Sequence, residues 1–380
     1  MPRCWARISA APISAGPFLR WRAMVESLFE HLSHDWPYRD GVLDGQDLSG
    51  ATLAKGTVLK TSFRGSSFAG AQIRDMNFVD CDFTGASFDG AQVAGSTFMN
   101  CIAGETLWRE AQFETVVLMA CALDRANFSG AQLARSTLMR CGLAQAVFAQ
   151  AGFETCGLME CGLDQIDLTQ ASLRNTAIIK ADLRRALLDG LACDTILLTD
   201  CDLTGRDLRS LTLARANLSK AILNQANLSG VDLSGALLLE ASLVGADLSR
   251  VVAPSAIFVK ADLRGANLSQ ASLSNAVFQE AVLAGANFDG AQLDMSVFSS
   301  ADARAVSFRR ARLDYALFHH ADVTSSDFSG ARFLRTDFHC ATTEGAIFVG
   351  QSGSALETDM ARAVGELYDP RVVKPFELRR

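Results

Sequence analysis

Four residues near the end of the chain carry side chains that bind transition metals: His319, His320, His339 and Cys340. They form two adjacent pairs 20 residues apart. In a fold with that period, His319 would stack over His339 and His320 over Cys340. Outward side chains at neighbouring positions diverge, so solvated surface residues are expected here, with no metal and no cofactor. A second set is Cys81, Cys101, Cys121, Cys141, Cys161 and Cys201, all separated by multiples of 20. A disulfide or a tetrahedral thiolate site needs convergent Cβ vectors, whereas a stack presents parallel ones. The ladder therefore reads as packing by a small buried hydrophobe. The five histidines are confined to the two ends of the chain. No phosphate-binding loop, nucleophile elbow or zinc-protease motif is present. A non-enzymatic role is expected, with no catalytic residues.

The element that must position these residues is a repeat. A large apolar residue marks every fifth position from Leu43 to Phe348, a run of 62 units without an insertion. Only Ala103, Cys193, Ala253, Ala303 and Thr343 depart from it. Two residues before each large centre stands a small one, mostly Ala, Ser, Thr, Cys or Val. Residues two apart in extended backbone share a side, so both face inward and the polar residue between them faces out. The last two residues turn a corner, where glycines such as Gly45, Gly85 and Gly265 supply a positive φ. The 20-residue beat of the cysteines, repeated by Met99, Met119, Met139 and Met159, makes four such sides one coil.

Segments such as Ala261-Asp262-Leu263-Arg264-Gly265 and Ala266-Asn267-Leu268-Ser269-Gln270 carry an A(D/N)LXX pattern. This resembles the pentapeptide-repeat family over residues 41–350. The resemblance implies an all-β solenoid, a right-handed quadrilateral parallel β-helix of about 15 coils of 20 residues. Short capping helices are expected at both ends. Trp21, Met24, Val25, Leu28, Phe29 and Leu32 fall on one helical face within residues 18–40, behind Pro17. Ser354 and Glu357 have capping-box spacing, ahead of an apolar face at Leu356, Met360, Ala363, Val364 and Leu367 within residues 351–380. Residues 1–17 are expected to be disordered, Met24 is an alternative start, and the tail from Asp369 is expected to be extended.

The surface carries one unusual feature. Leu59, Val79, Met99, Met119, Met139, Met159 and Ile179 fall in one outward column. Val117, Leu197, Leu237, Ile257, Val277, Val297 and Leu317 fall in the adjacent one. An apolar strip of this length marks an interface, and methionine suits an adaptable one. The expected occupant is a protein partner or a second copy of the chain, as a homodimer. Beside it runs an alternating charge column, Lys180, Asp200, Lys220, Glu240, Lys260 and Glu280, read as register-setting. Gln72, Gln92, Gln112 and Gln132 read as a stacked amide ladder.

The formal net charge is -7 over 380 residues. That argues against direct nucleic-acid binding, which needs a basic patch. Some members of the resembled family bind DNA gyrase as mimics of duplex DNA and protect against quinolones. Here acids and bases are mixed, and Arg109, Arg209 and Arg309 interrupt an acidic column. A bacterial secretion-associated effector or adaptor is a third reading that the resemblance permits. No apolar run is long enough to span a bilayer, and a cytoplasmic location with no membrane association is expected.

Overall fold

A computed structural model describes residues 18–366, with side chains from residue 23 onward. The expectations for residues 1–17, the Trp21 side chain, Leu367 and the tail from Asp369 lie outside them. Helix α1 (Phe18–Ser33) leads through the short strand β1 (Tyr38–Arg39) into a parallel β-solenoid of about 16 turns. Each residue pairs with the one 20 positions later, as in Val42–Ser62–Asp82–Ile102. A typical rung is the Phe63 N–H to Asp82 O bond (2.7 Å), followed by Asp82 N–H to Thr61 O (3.0 Å). The 20-residue register holds until the last rung, where it shifts between Leu334 and Thr336, and four faces close each turn. Face 1 carries Val42 and its stack-mates, face 2 Asp47, face 3 the Thr52 column and face 4 the Thr57 column.

Large centres and small residues alternate inward, filling a single continuous core. Like residues stack from turn to turn, with Phe68 on Phe88 at 4.6 Å and Phe298 on Phe318 at 4.6 Å. Where Ala103 interrupts the centres, Trp108 on the next face takes up the space and stacks on Phe88 at 3.8 Å. Its Nε1 donates to Thr106 Oγ1 (2.9 Å), which donates to the Ala103 carbonyl (2.7 Å). Buried indole and hydroxyl groups are thus both satisfied.

The fifth residue of most units is left-handed, and glycine is not required for it. Asn100 (φ 54°), Gln150 (φ 60°), Lys180 (φ 53°) and Glu240 (φ 57°) adopt the same corner as Gly85 (φ 67°). The penalty for a side chain there is roughly 1–2 kcal/mol. Backbone bonds to the turns on either side fix the corner strongly enough to outweigh it.

Two kinds of corner occur, and they explain the cysteine ladder. In the closed kind the next small residue donates its N–H back to the centre's carbonyl, as Ala86 does to Phe83 O (2.8 Å). Most corners after faces 1 and 2 follow this pattern near the N-terminus, and Ala is the usual small residue. After faces 3 and 4 the corners are open from Thr52 to about residue 195. An open corner leaves both the centre's carbonyl and the following N–H without their turn bond. The side chain one turn on replaces it: Cys121 donates S–H to Phe98 O (3.3 Å) and receives the Cys101 N–H. On face 3 Ser136 takes up the N–H alone, accepting from Val116 at 3.0 Å and donating its own hydroxyl to Ala134 O (2.9 Å). The ladder is therefore a row of weak donors and acceptors as well as small packing groups. From Leu213 to Phe328 nearly all corners are closed and the small residues after faces 3 and 4 become mostly Ala, as in Ala216 N–H to Leu213 O (3.1 Å).

The change of corner type coincides with a seam. The lateral ladder is interrupted between Gly162 and Asp182, between Leu187 and Asp207, and between Ala192 and Thr212. Only face 4 runs through, by Ala177–Leu197–Asn217. The sequence supplies a cause: Leu191, Ile196 and Leu211, all buried, stand where small residues belong. Overfilling a packed core forces backbone shifts. A small apolar void lined by Leu188, Leu191, Cys193 and Leu203 remains between the turns. Arg206 bridges the gap, donating to Ala186 O (2.6 Å) and Arg184 O (3.2 Å).

The two ends differ. Leu28 and Leu32 of α1 are buried on the first turn, and a Cβ at Gly56 would collide with Leu32. Helix α2 (Met360–Glu366) does not lay an apolar face on the last turn. Leu356 is in a strand (Ser352–Leu356), Met360 is 69% exposed and Val364 67% exposed. Ser354 and Glu357 do not cap the helix either. Asp359 does, accepting from Ala361 N–H (2.9 Å) and Arg362 N–H (3.1 Å). The helix begins later than the capping-box spacing predicts because residues 352–356 continue the ladder for one more rung, pairing with 332–337.

Candidate functional site

Parallel pairing places the apolar column in strict register on face 4. Leu59, Val79, Met99, Met119, Met139, Met159 and Ile179 are consecutive Cα partners across seven turns. All seven are half-buried, because each rung covers part of its neighbours. In the adjoining column Leu197 and Leu237 are exposed and Ile257 is half-buried. Leu197 joins Ala177 above and Asn217 below, and Leu237 joins Ile257, Val277, Val297 and Leu317. The two columns overlap near the seam, on the one face whose ladder is unbroken there. Exposed Leu239 extends the first column beyond Thr199 and Ser219.

Charged residues form local pairs. Arg184, Arg209, Arg264 and Arg304 each bind the aspartate two residues earlier at 2.6–2.7 Å. The guanidinium holds Asp207 at about 2, below the usual carboxylate range. Arg109 pairs with Asp89 and Arg309 with Asp289 on the turn before. In the alternating column, Lys220–Glu240 (3.9 Å) and Lys260–Glu280 (3.5 Å) pair, while Lys180 pairs backward with Glu160 (3.1 Å). Gln72, Gln92, Gln112 and Gln132 are in Cα register. The side-chain amide bond forms in other columns, as between Gln150 and Gln170 (3.1 Å).

The nine described cysteines are free thiols. Burial pushes Cys193 up to about 12 and Cys201 up to about 11, so these thiols stay protonated and unreactive.

The histidine pairs do not diverge as their positions suggest. Glu366, on α2, reaches back to accept from His320 Nε2 (3.0 Å) and His339 Nε2 (3.2 Å). Cys340 Sγ is 3.5 Å from His339 Nε2. His319 stays outside this group and binds Asp337 (2.9 Å). No motif at Glu366 could have revealed its part, because it comes from a helix outside the repeat. Among the described residues no helix is long and apolar enough to cross a membrane.

A four-sided parallel solenoid built on five-residue units defines a repeat protein. The chain belongs to the pentapeptide-repeat family. The family model described as pentapeptide repeats (8 copies) matches residues 47–85, 197–235, 232–270, 261–299 and 296–330. A second, pentapeptide repeat region, matches residues 73–146. Similar solved structures include HetL from Nostoc sp. strain PCC 7120, a pentapeptide repeat protein involved in heterocyst differentiation regulation. It is 23% identical, with 67% of this chain and 90% of HetL covered and a TM-score of 0.22. Trypsin-treated QnrB1, a plasmid-mediated fluoroquinolone resistance protein, is 16% identical over 55% of this chain and 91% of its own, with a TM-score of 0.33. A pentapeptide repeat protein from the Arabidopsis thaliana thylakoid lumen is 36% identical over 27% of this chain and 68% of its own, with a TM-score of 0.16. No curated protein matches.

Proposed function

We propose that this protein is a non-catalytic scaffold that binds protein through face 4. The observation that supports this reading is the in-register ladder from Leu59 to Ile179, continued by Leu197, Leu237 and Ile257. A sheet face facing only water gains nothing from a row of methionines. Their flexible thioethers adapt to an apolar partner surface. Long stacked columns also keep their spacing, so a second parallel sheet or a helix finds repeated, evenly placed contacts. Duplex-DNA mimicry is not favoured by the charges, because the arginines sit among the aspartates and neutralise them locally.

The test is the mass and shape of the chain in solution, by light scattering with small-angle X-ray scattering. Wild type is compared with a Met119→Glu/Met139→Glu variant. A dimer of rods that the variant converts to monomers identifies a second copy as the occupant. Two monomeric rods leave the face for another protein, with the variant as the negative control in a binding assay. A wild-type dimer that the variant leaves intact removes face 4 as the self-association surface.

A further inference from the structure

We propose that His320, His339, Cys340 and Glu366 form a zinc site that staples α2 to the last turns of the solenoid. Their ligand atoms all lie within 4.8 Å of one another. Ligand atoms around a tetrahedral zinc are about 3.4 Å apart, given metal–ligand lengths of about 2.0–2.3 Å. The separations of 3.0, 3.2 and 3.5 Å already stand near that figure. The set combines one thiolate, two imidazoles and one carboxylate, the donors a borderline-soft divalent cation takes. Four protein ligands with no open position make a structural site rather than a catalytic one.

The outer groups fit as well. Arg362 Nε binds the other Glu366 oxygen (2.7 Å) and fixes the carboxylate. The Cys340 N–H is held by Thr358 Oγ1 (3.0 Å), and the His339 ring is buried beneath the chain leading into α2. His339 Nδ1 receives the Asp359 N–H at 3.3 Å. Zinc on Nε2 moves the ring proton to Nδ1 and displaces that long contact, while Asp359 keeps its two capping bonds. The Cys340 thiol proton leaves to solvent on binding. A surface recess lined by His320, Cys340, Ala363 and Glu366 gives the ion its path in.

The placement of α2 supports the same conclusion independently. A helix of 7 residues does not hold together alone in water, and α2 buries none of its side chains. Apolar packing therefore does not hold it. A metal cross-link through Glu366 would.

The test is titration of the full chain with cobalt(II), followed by zinc displacement. The expected result is one equivalent bound at micromolar protein, with tetrahedral d–d bands and a sulfur-to-cobalt charge-transfer band. Cys340→Ser abolishes the charge-transfer band. Cys340→Ser and Glu366→Gln each weaken zinc by at least the ~10–100-fold that loss of an outer-shell partner brings. No uptake by wild type overturns the proposal. So does uptake that both variants retain at wild-type affinity, which would place the ion elsewhere on the chain.

Discussion

Arg206 occupies a place reserved for small residues, so replacing it with Ala restores the repeat consensus. The structure nevertheless predicts a weaker protein. Arg206 donates to Ala186 O and Arg184 O, carbonyls at the seam where the lateral ladder is interrupted. A bond from a charged donor contributes about 1.5–3 kcal/mol, and truncation removes two. Against this, the half-buried guanidinium leaves Nε without a partner, which costs about 1–3 kcal/mol. The net loss on Arg206→Ala is about 2–3 kcal/mol. Each turn touches only its neighbours, so the loss falls on the junction between the two halves. Over the whole solenoid it lowers Tm by only about 3–4 °C. Local opening of the seam, by contrast, rises about 30- to 160-fold. Native-state hydrogen exchange with peptide resolution reads this directly. Wild type should exchange fastest within residues 182–212, and Arg206→Ala should accelerate that segment while sparing residues 222–330. Slower exchange there in the variant would refute the reasoning. It would mean that Ala lets the turns close and that Arg206 wedges the seam rather than bridging it.

Three other outcomes follow from the same structure. Cys121→Ser keeps a donor and acceptor at an open corner, whereas Cys121→Ala orphans Phe98 O. Chemical denaturation should therefore show Ala less stable than Ser by about 1 kcal/mol, and the reverse order would remove the corner-bond role of the ladder. Of the nine described cysteines, only half-buried Cys340 should react with a thiol reagent in the folded state, as mass spectrometry of the labelled chain will show. The aspartates beside arginines at positions 182, 207, 262 and 302 are held below their usual range, chiefly by hydrogen bonds from those arginines. Depressed carboxylates stabilise above their unfolded value and lose that contribution as pH falls through the folded value, about 2 for Asp207. The melting temperature should therefore be level from neutrality to about pH 4 and decline only below it. The decline should be small, since these pairs are exposed. A decline centred near pH 6 would show that other groups control acid stability.

The sequence by itself determined the period, the inward and outward positions, the 20-residue turn and the span of the repeat. It could do so because one unbroken five-residue register forces every fifth residue into an equivalent environment. The apolar column on face 4 was legible for the same reason: fixed register turns sequence spacing into spatial adjacency. The beat of the cysteines was legible too, but its meaning was not. Only the structure shows that Cys121 replaces a missing turn bond, because whether a corner closes depends on backbone geometry across two turns. The seam also had to be seen. Leu191, Ile196 and Leu211 look like tolerated substitutions one at a time, and it is their crowding in a shared core that parts the turns. At the C-terminus the tertiary structure decided everything. Glu366 lies outside the repeat, so no spacing relates it to His320, His339 and Cys340. The path of residues 352–359 alone brings its carboxylate within reach of them.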